Sequence, residues 1–129
     1  MNKIFLVEDS AAIRERLRSA IADIELAELV GESDSQENAL KMIKATNAEI
    51  VVLDIHLAQG NGISVLRRLK SVMPAIKVMV LTNHAYPQYQ QKCLKLGADS
   101  FLDKSKDFSR LAGILRDWIE VPAVVEQTA

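Results

Sequence analysis

Three runs of four consecutive apolar residues constrain this chain more than any other feature: Ile4-Phe5-Leu6-Val7, Ile50-Val51-Val52-Leu53 and Val78-Met79-Val80-Leu81. Each has strand length, contains no polar position, and stops at a polar residue: Glu8, Asp54 or Thr82. A strand with one wet face alternates apolar and polar residues, so an uninterrupted run implies cover on both faces. Longer stretches with helical spacing separate the runs. Ile13, Leu17, Ile21 and Ile24 fall on one helical face. Leu29-Val30-Gly31 reads as a short second strand, and Ser100-Phe101-Leu102 as a fifth that ends near Lys104.

Local signals set the helix ends. Asp34, with Glu37 at capping-box spacing, is expected to N-cap a helix carrying Ala39, Met42 and Ile43. The third helix runs through Ile63, Leu66 and Leu69 and is stopped with the help of Pro74. Pro87 suits a first turn and Gly97 the position after a last one. Asp107 is expected to cap a final helix whose apolar side holds Leu111, Ile114, Leu115 and Trp118. The result is a (βα)5 pattern. It predicts one α/β domain over residues 1–120 built on a doubly wound parallel sheet, with flavodoxin-like strand order 2-1-3-4-5. Residues 121–129 lack a helical period and are expected to fray.

Composition agrees with a single core. The chain has 129 residues, 49% of them hydrophobic, enough to fold without disulfides or a structural metal. A net charge of −1 supplies no general grip on nucleic acid or an anionic membrane. Cys93 is the only cysteine; a buried, inert thiol in a reducing, cytoplasmic setting is the expectation. The apolar run at the N-terminus ends at Glu8, too soon for a signal or membrane segment.

In sheets of this kind, ligands bind beyond the carboxyl ends of the strands, at the topological switch point. Glu8 and Asp9 follow the first strand, Asp54 the third, Thr82 the fourth and Lys104 the fifth. Carboxylates about 4 Å apart repel by roughly 4 kcal/mol per pair at an effective dielectric near 20. A hard divalent cation such as Mg2+ or Mn2+ removes that cost and lets the pocket receive a phosphoryl group. Lys104 adds a positive point, Thr82 a hydroxyl donor, and an aspartate can act as nucleophile toward phosphorus.

The pattern resembles the response-regulator receiver family of two-component signalling, from Lys3 to about Trp118. The matching pieces are Leu6-Val7-Glu8-Asp9, Val51-Val52-Leu53-Asp54 with Asn61-Gly62 beyond it, Val80-Leu81-Thr82, Leu96-Gly97-Ala98-Asp99 and Phe101-Leu102-Asp103-Lys104. The resemblance implies that Asp54 accepts a phosphoryl group from a sensor histidine kinase or phosphotransfer protein. It implies Mg2+ (or Mn2+) held by Asp9, Asp54 and the main-chain carbonyl of His56, with Glu8 assisting through water. Thr82 and Phe101 would form a switch pair, and Lys104 would pair with the acidic site. The helix-four, strand-five, helix-five face would then change its binding to a downstream target, with self-association left open. Such a protein acts as a phosphoacceptor and not as an enzyme on a small molecule.

Two departures stand out. The family usually carries proline where this chain has Ala58, and its only histidines, His56 and His84, sit two residues beyond Asp54 and Thr82. A histidine pair there is a candidate for tuning dephosphorylation with pH. The stretches Leu81-Thr82-Asn83-His84 and Asp103 to Phe108 look like receivers of transcription regulators. The residues after Trp118 are too few for a DNA-binding domain, so a stand-alone protein and a piece of a longer one are both open.

Each residue alone has a plainer reading: cap, turn or surface lysine for the polar set, plain core for Phe101 and Trp118, and surface aromatics or helix packing for Tyr86 and Tyr89. Of the other functions for this fold, a flavin or nucleotide site would want a glycine- and hydroxyl-rich loop where Glu8-Asp9-Ser10 stands. A dehalogenase-type phosphatase would want an aspartate where His56 stands. The alternative kept is a degenerate receiver working as a phosphorylation-independent scaffold, which Ala58 leaves alive.

Overall fold

The computed structural model describes residues 1–119. The expectation for residues 121–129 lies outside them. Five strands, β1 (Asn2–Val7), β2 (Ala27–Ser33), β3 (Ile50–Leu53), β4 (Lys77–Thr82) and β5 (Ser100–Asp103), pair in parallel in the order β2-β1-β3-β4-β5. Between and after them run α1 (Ala11–Ala22), α2 (Gln36–Thr46), α3 (Gly62–Val72), α4 (Pro87–Lys95) and α5 (Leu111–Trp118). The predicted fold class and strand order are what the chain adopts.

The uninterrupted apolar strands work by alternation. Phe5, Val7, Val51, Leu53, Val78 and Val80 point to one face and pack with Ala39 and Ile43 of α2, Val65, Leu66 and Leu69 of α3, and Cys93 of α4. Ile4, Leu6, Ile50, Val52, Met79 and Leu81 point to the other and meet Leu17 and Ile21 of α1 and Leu111 and Leu115 of α5. Successive strand residues face opposite sides, so two cores need apolar residues at every position. Full burial of each such side chain contributes about 1.5–3 kcal/mol.

Three local expectations are corrected. The second strand is longer than Leu29–Gly31 and includes Glu28 and Glu32, because β2 is an edge strand with room for charge. Asp34 does not cap α2: the N-cap is Ser35, which makes no side-chain capping bond. The N–H of Gln36 donates instead to the carbonyl of Gln59, at 3.1 Å, so a neighbouring loop satisfies the helix start. Asp107 does not cap α5 either. It precedes a 3-10 turn, Phe108–Arg110, and its carboxylate accepts from the Asp103 N–H at 3.0 Å.

Other readings hold. Pro87 opens α4, and Gly97 follows its C-cap with φ of +103°. Trp118 is half-buried against the α1/α5 core. Asp99 of the Leu96-Gly97-Ala98-Asp99 motif accepts from the Val78 N–H at 2.8 Å and from Lys70 Nζ at 2.9 Å, tying the α4–β5 turn to β4 and α3.

Candidate functional site

The five polar residues that follow the strands meet at one rim. The Asp54 N–H donates to the Val7 carbonyl at 2.9 Å, continuing the β1–β3 pairing and fixing where its side chain emerges. Its carboxylate is only 5% exposed. One oxygen accepts from the His56 N–H and the other from Lys104 Nζ, both at 2.9 Å. Lys104 Nζ also lies 2.7 Å from Glu8 Oε1, so one buried ammonium bridges two buried carboxylates. One carboxylate oxygen from each of Glu8, Asp9 and Asp54 lies within 4.8 Å of the other two.

The electrostatics follow from burial. Desolvation raises the Glu8 carboxyl above its usual range, against the opposing hydrogen bond from Lys104. Burial alone would lower Lys104, but its hydrogen bonds to Glu8 and Asp54 outweigh that and hold its ammonium above the usual value. The site therefore keeps its cation while penalising the charge on Glu8, the balance a second cation would improve.

Thr82 is fully buried, and its Oγ accepts from the His84 N–H at 3.0 Å. Thr82 thus makes the turn contact that its plainer reading expects, with the two residues that follow it, Asn83 and His84, lining the same small cavity as Asp54. Phe101 is half-buried and packs on the α2–α4 core. His56 and His84 are in ring contact, centroids 4.1 Å apart, and His56 meets Tyr89 edge-on at 5.0 Å. Burial, then the neighbouring His84, depress the His56 pKa, and its Nδ1 has no hydrogen-bond partner among the described residues. A small cavity of about 170 Å³ is lined by Asp9, Asp54, His56, His84 and Lys104 among others. Away from the site, Cys93 is buried as expected, and burial pushes its thiol up to about 11, which disfavours the thiolate.

Some supporting residues were not singled out from sequence. Ser10 N-caps α1 by accepting from the Ile13 N–H at 3.3 Å, and the Ser10 N–H donates to Glu8 Oε2 at 3.0 Å. A serine directly after Glu8-Asp9 was the available signal. Arg14 donates to the Glu8 carbonyl at 2.7 Å, and Asn83 lines the small cavity; neither has a local sequence signature. Asn61-Gly62 does belong to the sequence pattern, and the structure gives its role: Asn61 N-caps α3, and Gly62 must be glycine because a Cβ there would strike the Asp54 carbonyl and Ile55 Cα.

The family model of the response regulator receiver domain matches residues 4–116. This chain belongs to that family. The receiver is 33% identical over 118 residues to the DNA-binding transcriptional activator DevR/DosR of Mycobacterium tuberculosis, covering 91% of this chain and 54% of that protein. The chain spans about half the length of the curated relatives it matches. Among solved structures, a LuxR-family two-component response regulator from Aurantimonas sp. SI85-9A1 superposes on the receiver with a TM-score of 0.83 at 26% identity, covering 90% of this chain and 83% of that one. The Mn(2+)-bound form of response regulator Rcp1 shares the fold, with a TM-score of 0.76 at 23% identity over 95% of this chain and all of that one.

Proposed function

We propose that this receiver is a phosphorylation-dependent signalling switch and that Asp54 is its phosphoacceptor. The observation that carries the reading is the buried Asp54 carboxylate, held 2.9 Å from Lys104 Nζ within a cluster of three carboxylates. A carboxylate oxygen of Asp54 attacks phosphorus on a phosphohistidine of a sensor histidine kinase or phosphotransfer protein. The P–N bond breaks, and its electron pair stays with the imidazole.

The donor set fits Mg2+ or Mn2+: one hard carboxylate oxygen from each of Glu8, Asp9 and Asp54 within 4.8 Å of one another, with the single Lys104 ammonium set against three carboxyl groups. Asp9 and Asp54 would hold the ion through their carboxylates, His56 through its main-chain carbonyl and Glu8 through water. The bound cation supplies neutralisation of the carboxylates and of the charge on the transferring group. The solved Mn(2+)-bound form of a protein with this fold is in keeping with such a donor set.

Lys104 pairs with the phosphoryl oxygens once Asp54 is modified. Thr82 gives up the His84 N–H and donates its own proton to a phosphoryl oxygen, and Phe101 turns inward behind it. The α4–β5–α5 face, with Tyr86 exposed just before α4 and Leu94 exposed on it, then changes its affinity for a target protein or a second copy. His56 and His84 roof the pocket and set how readily water reaches the acyl phosphate. In this role the chain turns over no small-molecule substrate, inserts into no membrane and makes no direct contact with nucleic acid. No helix among the described residues is long and apolar enough to cross a membrane. A cytoplasmic location belongs to the same reading.

The test is intact mass after incubation with acetyl phosphate and Mg2+. One added phosphoryl group is expected, absent in Asp54→Ala and absent when the metal is chelated. No adduct from acetyl phosphate or from any phosphorylated kinase would favour the scaffold reading.

A further inference from the structure

The loop between β3 and α3 carries the His56 carbonyl and lacks the proline that the family usually places at position 58. Proline stiffens a loop by fixing φ, and it has no N–H. Ala58 keeps its N–H and donates it to Asp9 Oδ2 at 2.7 Å. A carboxylate has about four lone-pair sites, so this bond orients Asp9 and leaves sites for a cation.

Something else must then hold the loop. Gln36, the first residue of α2, reaches it from two sides. Its Oε1 accepts from the Asn61 N–H at 2.7 Å, and its own N–H donates to the Gln59 carbonyl at 3.1 Å. Ser35 forms a parallel bridge with Gln59, and His56 an antiparallel bridge with Asn61 inside the loop. Gly60 sits at φ of +102°, and a Cβ there would collide with the Gln36 side chain. The loop is therefore closed onto Gln36 on one side and onto Asp9 on the other.

We propose that Gln36 is a positioning residue that sets the divalent-cation affinity of the Glu8–Asp9–Asp54 cluster, by clamping residues 58–61 so that the Ala58 N–H holds Asp9. The proposal rests on the reading of that cluster as a cation site. Groups one step behind a metal ligand orient it, and losing them typically weakens binding by about 10–100-fold. Gln36 acts through two intermediates, so the low end applies. A proline at 58 removes the N–H through which the clamp reaches Asp9, so the effects of Gln36→Ala and Ala58→Pro must be non-additive.

The experiment titrates the full chain with MnCl2 and MgCl2 by calorimetry and follows amide exchange by NMR in metal-free protein. Gln36→Ala should weaken Mn2+ binding by about tenfold. It should also speed exchange of the Ala58 and Asn61 amides while leaving the β1 and β3 amides unchanged. Gln36→Glu keeps the acceptor oxygen and should restore wild-type affinity or better. In an Ala58→Pro background, Gln36→Ala should change affinity by about twofold or less. Wild type and Gln36→Ala binding Mn2+ within about twofold of each other would overturn the proposal and leave the cation reading standing. Unchanged Ala58 exchange in metal-free Gln36→Ala would overturn the clamp without reference to any ion. A wild-type chain that binds neither ion would remove the cation reading and this proposal with it.

Discussion

Lys104 carries one ammonium into a pocket that already holds three carboxylates, and the stability of the site turns on that charge. Its Nζ lies 2.7 Å from Glu8 and 2.9 Å from Asp54, both buried. Removing one partner of a buried ion pair typically costs about 3–5 kcal/mol, because the other charge is left without compensation. Lys104→Met should lose stability of that order in urea denaturation at pH 7, and added Mg2+ should return part of it. Glu8 gives the opposite prediction. Burial raises its pKa above the ordinary 4.5, so the folded state holds the proton longer than the unfolded one. Its contribution to stability is complete below that unfolded value and is lost as pH rises through the folded pKa. Glu8→Gln, which carries no charge to desolvate and leaves Lys104 paired with Asp54, should therefore melt higher than wild type at pH 7–8, by about 4 °C per kcal/mol gained in a domain of this size. The difference should close as pH approaches 4.5. A Tm gap that stayed constant over that range would rule out the titration of Glu8 as its source.

At the scale of elements, the site depends on how closely α3 and the β4–α4 loop approach the strand ends. Gly62 opens α3 so near β3 that a methyl group would strike the Asp54 carbonyl, which is backbone and cannot swing away. Overpacking of this kind costs about 1–3 kcal/mol, and here the displaced backbone belongs to the phosphoacceptor. Gly62→Ala should lose about that much stability and slow phosphorylation of Asp54 more than a surface substitution of equal destabilisation does. On the opposite wall, the ring of His84 lies 4.1 Å from that of His56. His84→Ala should open the mouth of the cavity and speed loss of the phosphoryl group several-fold at pH 7, read as the decay of the phosphorylated mass. An unchanged decay rate would mean that the ring contact is only packing.

Across the whole molecule, what the sequence made legible was what depends on long-range patterning. Two apolar cores separated by a sheet demand strands with no polar position, and Ile4–Val7, Ile50–Leu53 and Val78–Leu81 state that demand openly. The convergence of Glu8, Asp9, Asp54, Thr82 and Lys104 followed, because parallel strands place all their carboxyl ends at one rim. What stayed hidden depends on contacts between loops far apart in sequence. The Gln59 carbonyl satisfies the start of α2, which displaced the expected Asp34 cap, and Asp107 turns back to Asp103 instead of capping α5. The departure at Ala58 was visible, but its consequence was not: only the fold shows that the extra N–H lands on Asp9. The central claim concerns the chemistry of one residue, and trapping that residue tests it most directly. The chain is phosphorylated with acetyl phosphate and Mg2+, reduced with borohydride, digested and sequenced by mass spectrometry. An acyl phosphate at Asp54 is reduced to homoserine, so the account predicts homoserine at position 54 and aspartate at position 9. Intact aspartate at 54, with homoserine elsewhere or nowhere, would contradict it.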